Sequence, residues 1–107
     1  MSIDSRLWSC PRCGGAFGLD GPNKLSPSAI RGADRTLWRY DAVLPASLGD
    51  GMTLGEGLTP LVAGTLAGRP VWFKLDCLLP TGSFKDRGAA VFVAHLRRLG
   101  LQRVIVD

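Results

Sequence analysis

Residues 83–99 are patterned as one helix, and a lysine sits at its mouth on the apolar side. The segment Leu79-Pro80-Thr81-Gly82-Ser83-Phe84-Lys85-Asp86-Arg87-Gly88 leads into it. Stepping on from Lys85 by four and three gives Ala89, Phe92, Leu96 and Leu99. That spacing belongs to a helix face turned toward a core. Arg87, Arg97 and Arg98 fall away from the centre of the stripe, where a helix keeps its charges. Pro80-Thr81-Gly82 reads as a turn that a helix does not run through. Ser83 is the natural N-cap, and Asp86, three residues on, completes the Ser-x-x-Asp form of a capping box. Gly100 closes the helix as its C′ residue.

The position of Lys85 has chemical consequences. Burying an ammonium is costly unless it is paired or loses its proton. The uncharged amine is the form that condenses with an aldehyde. The positive end of the helix dipole favours that form, and the free N–H groups of a first turn suit an anion such as phosphate. The alternative is a first-turn lysine whose stem lies on the apolar face while its head reaches water. Spacing alone leaves both open. Asp86 and Arg87 read as helix capping and surface charge.

Four parts follow one another along the chain. Residues 7–20 form a ribbon-like knuckle around Cys10 and Cys13. Residues 21–34, with Gly21-Pro22, Ser26-Pro27 and Gly32, read as a linker. Residues 35–68 hold a short helix near Leu37–Leu44 and a glycine-rich stretch with Gly49, Gly51, Gly55 and Gly57. Residues 69–107 read strand, turn, helix, strand, with Val71–Leu75 and Arg103–Val106 as the strands. Two strands flanking a helix predict a crossover unit of a parallel sheet, hence an α/β fold. The division expected is 1–34 for knuckle and linker and 35–107 for the start of a larger domain.

Cys10-Pro11-Arg12-Cys13-Gly14-Gly15 is half of a zinc knuckle. Zinc takes four ligands, and no second pair accompanies Cys10 and Cys13. Cys77 and His95 belong to the strand–helix unit and read as a small apolar residue and a polar residue at the stripe's edge. The expectation is therefore no metal, with Cys10 and Cys13 as the sole candidates and a turn kept for its shape. Trp8, Trp38 and Trp72 sit in different elements and read as packing residues rather than as one binding platform. The net charge of +4 is spread without a basic stripe, which argues against a nucleic-acid partner. No apolar run is long enough to span a membrane. Met1–Arg6 lacks the apolar core of a secretion signal, so the expected location is the cytoplasm.

Several blocks resemble one family. Pro80-Thr81-Gly82-Ser83-Phe84-Lys85-Asp86-Arg87 is similar to the lysine motif of pyridoxal-phosphate enzymes of the tryptophan synthase β-like fold (fold type II), in the form carried by threonine synthases. Leu54-Gly55-Glu56-Gly57-Leu58-Thr59-Pro60-Leu61 resembles the Gly-Glu-Gly-x-Thr-Pro-Leu segment ahead of that lysine. Leu37-Trp38-Arg39-Tyr40 with Leu44-Pro45 looks like the helix before it, and the Cys10–Gly15 knuckle like the cysteine ribbon that opens some threonine synthases. The blocks stand in family order.

The resemblance implies the amino-terminal part of such a lyase. Lys85 would join pyridoxal 5'-phosphate as a Schiff base and then move protons as base and acid, with Ser83 and Phe84 framing the cofactor's edge. The substrate would be O-phosphohomoserine, an amino-acid phosphate ester, converted with water to threonine and phosphate. The whole enzyme would be a homodimer. The chain stops after the strand at Val104–Val106, before the Ser/Gly/Asn-type loop, the glycine-rich phosphate cup and the residue facing the pyridine nitrogen that the resemblance implies. These residues alone are thus expected to hold the cofactor poorly and to turn over no substrate. Two other readings stay open. One is a threonine or diaminopropionate ammonia-lyase of the same fold, which the Trp38-Arg39-Tyr40 block disfavours. The other is a non-catalytic, zinc-ribbon-like binding module.

Overall fold

The structure, a computed structural model, describes residues 7, 9–18, 20, 24–47 and 52–105. Expectations that fall on Met1–Arg6, Trp8, Gly21-Pro22, Gly49, Gly51 and Val106 lie outside the described residues. The described part is a small α/β arrangement. It has two strands, one α-helix and several single turns of 3₁₀-helix.

Strand β1 (Leu61–Leu66) and strand β2 (Arg69–Lys74) form an antiparallel hairpin, paired from Leu61↔Lys74 to Leu66↔Arg69. The two-residue connection Ala67-Gly68 has φ of 49° and 75°. Positive φ at both central residues is what a type I′ hairpin turn requires. Gly68 takes its angle freely, and Ala67 takes it against its Cβ. Pro70 is tolerated because Thr65↔Pro70 is the pair next to the turn-closing one, where the N–H points away from the partner strand.

The expected strand at Val71–Leu75 is thus present as β2, but its partner is different. β2 pairs with β1 and not, across the helix, with Arg103–Val106. Residues 101–105 take no strand pairing, and Ile105 is 98% exposed. The parallel unit is not formed among the described residues. The reason is local: a two-residue turn closes the β1–β2 pair with little loss of chain entropy, whereas a parallel pair needs a long crossover and sheet neighbours to support it.

After β2 a 3₁₀ turn (Asp76–Leu78) and a tight turn lead to helix α1 (Lys85–Arg98). Gly82 donates its N–H to Leu79 O at 2.8 Å, with φ of 77°. Ser83 acts as expected in part. Its Oγ accepts the Lys85 N–H at 3.2 Å, the bond an N-cap makes two residues on. The reciprocal half of the capping box is not made, because Asp86 turns elsewhere. The other end closes as a Schellman motif: Gly100 (φ 71°) donates to Arg97 O at 2.9 Å and Leu101 to Leu96 O at 3.1 Å.

The core lies under one side of α1. Trp38 is fully buried, packed with Ala46 and Ala94 and bordered by Leu44, Ala90 and Val91. Small side chains at 90 and 94 let the indole approach the helix. Trp38 is carried by a 3₁₀ segment (Leu37–Val43) capped by Thr36, whose Oγ1 accepts the Trp38 N–H at 3.2 Å. Asp34 Oδ1 in turn accepts both the Thr36 N–H at 2.8 Å and the Thr36 hydroxyl at 2.7 Å. Trp38 therefore packs in the core, as expected, whereas Trp72 is 69% exposed.

Residues 9–16 form a tight turn around Cys10 and Cys13. Ser9 and Ala16 make an antiparallel bridge, Cys10 N donates to Gly15 O at 2.9 Å, and Gly14 N donates to Cys10 O at 2.8 Å. Gly14 supplies the left-handed angle this turn needs. No helix among the described residues is long and apolar enough to cross a membrane.

Removal of the indole should cost the intact protein about 3–5 kcal/mol, as for other buried aromatic truncations. Urea denaturation of Trp38→Ala against the unaltered protein measures it.

Candidate active site

The first turn of α1 is held from two sides, and the lysine projects from the side left over. Successive helical residues are rotated by about 100°. Lys85, Asp86 and Arg87 therefore point in three different directions, with Arg87 about 200° round from Lys85.

Arg87 is the most connected side chain of this turn. Its Nη1 donates to Asp76 Oδ2 at 2.8 Å and its Nη2 to Asp76 Oδ1 at 3.0 Å, a two-pronged pair. Nη2 also reaches Gly57 O at 2.9 Å and Thr59 Oγ1 at 3.3 Å. The Thr59 hydroxyl donates to Asp76 Oδ1 at 2.7 Å, and Lys74 Nζ donates to Thr59 O at 2.6 Å. The Arg87 guanidinium, then the Thr59 hydroxyl, hold the Asp76 carboxyl below the usual aspartate range. In return the carboxylate pushes Arg87 higher still. Reading Arg87 as surface charge is corrected here: its guanidinium is half-buried and ties α1 to the hairpin and to the 57–59 segment.

Asp86 is corrected likewise. It is 9% exposed, and its carboxylate accepts the Thr81 N–H at 2.9 Å and the Thr81 hydroxyl. It braces the turn before the helix instead of capping Ser83. Glu56, 1% exposed, performs a similar task in the glycine-rich segment. It accepts the Thr53 hydroxyl on both oxygens at 3.0 Å and the Leu54 N–H at 2.7 Å. Gly57 bridges to Thr36, and a Cβ there would lie 2.1 Å from Arg35 O. Only glycine permits that approach. Glu56 and Asp86 both border an apolar recess of about 160 Å³ whose other walls include Leu54, Ala89 and Val93.

Lys85 is exposed, as are Ala89 and Phe92 further along its stripe. The expectation of a sheltered lysine is therefore not met among the described residues. Residues 89–94 are apolar without interruption (Ala-Ala-Val-Phe-Val-Ala), the mark of a helix enclosed on all sides. Among the described residues, the side that is covered is the one facing Trp38. The Lys85 amine has no hydrogen bond or salt bridge among the described residues. Ser83 lies half-buried beside it, and Phe84 is 66% exposed. Cys10 and Cys13 belong to the knuckle. The peptide N–H of Arg12, then that of Cys13, hold the Cys10 thiol below the usual range. No group of three or more His, Cys, Asp or Glu residues suited to a metal occurs among the described residues.

Residues 52–107, more than half of the chain, match the family of pyridoxal-phosphate dependent enzymes. The chain belongs to that family. Its cofactor is pyridoxal phosphate. Among curated proteins the chain is 29% identical to threonine synthase of Methanosarcina acetivorans over 96% of its own length and 27% of the relative's. It is 31% identical to threonine synthase of Methanocaldococcus jannaschii over 95% of this chain and 28% of that one. A 60-residue stretch is 43% identical to threonine synthase of Synechocystis sp., covering 50% of this chain and 16% of the relative. The chain thus spans little more than a quarter of the length of the archaeal relatives it matches. No solved structure gives a significant match.

The donor set of the helix mouth fits this cofactor at one point. An aldehyde needs a primary amine with no competing acceptor, and Lys85 supplies one. Among the three lysines of the chain, Lys74 is engaged by Thr59 O, and Lys24 lies outside the matched segment.

The Arg87–Asp76 pair has a pH consequence. A carboxyl held low in the folded state contributes stability above the ordinary aspartate range and loses it as pH falls through the lowered native value. Stability of the intact protein should accordingly decline on acidification in that window. The decline should be shallower in Asp76→Asn, as measured by urea midpoints at successive pH values.

Proposed function

We propose that this chain is the amino-terminal part of a threonine synthase-like lyase and that Lys85 is the residue that binds its cofactor covalently. The observation carrying this reading is the unpaired Lys85 amine at the amino end of α1, inside the segment that matches the family. Residues 35–107 begin the catalytic domain in this reading, and residues 1–34 form a separate knuckle and linker. Further segments of a longer protein would pair with the open edges of the sheet and cover the open side of α1. The enclosure that Lys85 lacks here would come from them.

When bound, pyridoxal phosphate supplies an electron sink for carbanion chemistry at the substrate. This chain's part is to hold the cofactor and to handle protons. Lys85 would hold the cofactor through its amine and would carry protons to and from the substrate's carbon atoms. Ser83 fixes the backbone of that residue through its hydroxyl and retains a proton to donate. Phe84, with its exposed ring, would frame the cofactor's edge. The substrate proposed is O-phosphohomoserine, with water adding and phosphate leaving to give threonine. The full enzyme is taken to be a homodimer. The described residues supply no phosphate-binding cup, so the 107-residue chain alone should show no threonine formation.

Borohydride reduction after incubation with pyridoxal phosphate tests the lysine. In the intact protein, cofactor label should be recovered on Lys85, and Lys85→Ala should lose it. Equal labelling in that variant would remove the basis of the reading.

A further inference from the structure

The three-segment junction around Arg87 lies on the far side of α1 from the lysine, and the proposed chemistry makes no direct use of it. We propose that Arg87 is a positioning residue, which sets the rotation of α1 about its own axis and so the direction in which Lys85 presents its amine. This rests on the assignment of Lys85 as the cofactor lysine.

The argument is geometric. A helix is free to rotate or slide until its side chains are held. Here the holding groups are Arg87 and Asp86, at about 200° and 100° from Lys85. Arg87 binds the Asp76 carboxylate with both terminal nitrogens, at 2.8 and 3.0 Å, and takes Gly57 O at 2.9 Å. Asp86 binds the Thr81 N–H at 2.9 Å together with its hydroxyl. With both directions fixed, the remaining one belongs to Lys85. A slip of one residue would swing the amine by about 100°, away from any site that lies over the stripe. A planar fork held at two points resists twisting in a way that a lysine ammonium, a point charge on a flexible stem, does not. The junction also links the Gly55–Pro60 segment to the first turn of α1 in this chain. Gly57 O and the Thr59 hydroxyl are acceptors for the same guanidinium.

Tolerance is tight because catalytic and covalent groups lose large factors for displacements near 1 Å. The readout is the yield of borohydride-trapped cofactor on Lys85, mapped by mass spectrometry in the intact protein across neutral and mildly alkaline pH. Arg87→Met is expected to lower that yield roughly tenfold and to alter its pH profile, with Arg87→Lys falling between. Gly64→Ala is the control. Its Cβ would press within 2.7 Å of the Phe73 ring in the hairpin, so it disturbs packing outside the Arg87 junction and should keep wild-type labelling. Should Arg87→Met not fold, Asp76→Asn weakens the same fork while leaving the bond to Gly57 O, and the yield on Lys85 should fall in the same direction. Labelling and pH profile unchanged in a folded Arg87→Met, or in Asp76→Asn, would overturn the positioning role while leaving Lys85 as the cofactor residue. A loss equal to that in Gly64→Ala would also overturn it, because general destabilisation would then suffice. Full labelling of Lys85→Ala would instead remove the lysine assignment itself.

Discussion

One guanidinium joins parts of the chain that sequence order keeps thirty residues apart. Arg87 meets a carboxylate just after β2, a hydroxyl and a carbonyl from the segment before β1, and its own helix. Each partner is modest by itself, since a half-exposed ion pair contributes little and is screened by salt. The strength lies in the combination. The fork geometry demands that the hairpin, the 57–59 strand-like segment and α1 hold one relative orientation, and the Trp38 core then fills the space this leaves.

The second constraint is what the chain leaves open. Leu61, Leu66, Trp72, Phe84, Phe92 and Ile105 are each at least half exposed, while the buried hydrophobic residues are Trp38, Ala46, Leu79 and Ala94. Scattered exposed apolar residues are ordinary, but Leu61, Leu66 and Trp72 lie on the hairpin, Phe84 and Phe92 at the mouth and outer side of α1, and Ile105 beyond its end. They agree with a chain that spans a quarter of its longer relatives. The all-apolar middle of α1 is built for neighbours on both sides and has one.

Much of this was legible in the residues. The helix from the Ser83 turn to Gly100, the strand around Val71–Lys74, the short helix at Leu37 and the Cys10–Cys13 turn all carry local signals, and local signals survive in the fold. The errors came where distant partners decide. The stripe through Lys85, Ala89 and Phe92 was read as the buried face, because spacing identifies a face but not what lies against it. With apolar residues all round from 89 to 94, the pattern alone does not say which side meets Trp38. Asp86 and Arg87 looked like capping and surface charge because nothing in their own turn announces Thr81, Asp76 or Gly57 O. The strand β1 was missed although Ala67-Gly68 between two apolar runs is a hairpin signal. The glycine content of the region masked it. The expected pairing of β2 across the helix rests on distant chain segments, and residues 101–105 make no such pairing.

The hairpin carries a further consequence. A two-stranded ribbon has two raw rims, and the outer N–H and C=O groups of β1 and β2 stand ready to pair with any extended backbone that meets them. Val71-Trp72-Phe73 at its centre is the sort of sequence that stacks edge to edge. Arg69 and Lys74 bracket that triplet, and their charges discourage like copies from aligning in register. The ribbon is thus guarded against its own kind while still open to a strand supplied from elsewhere.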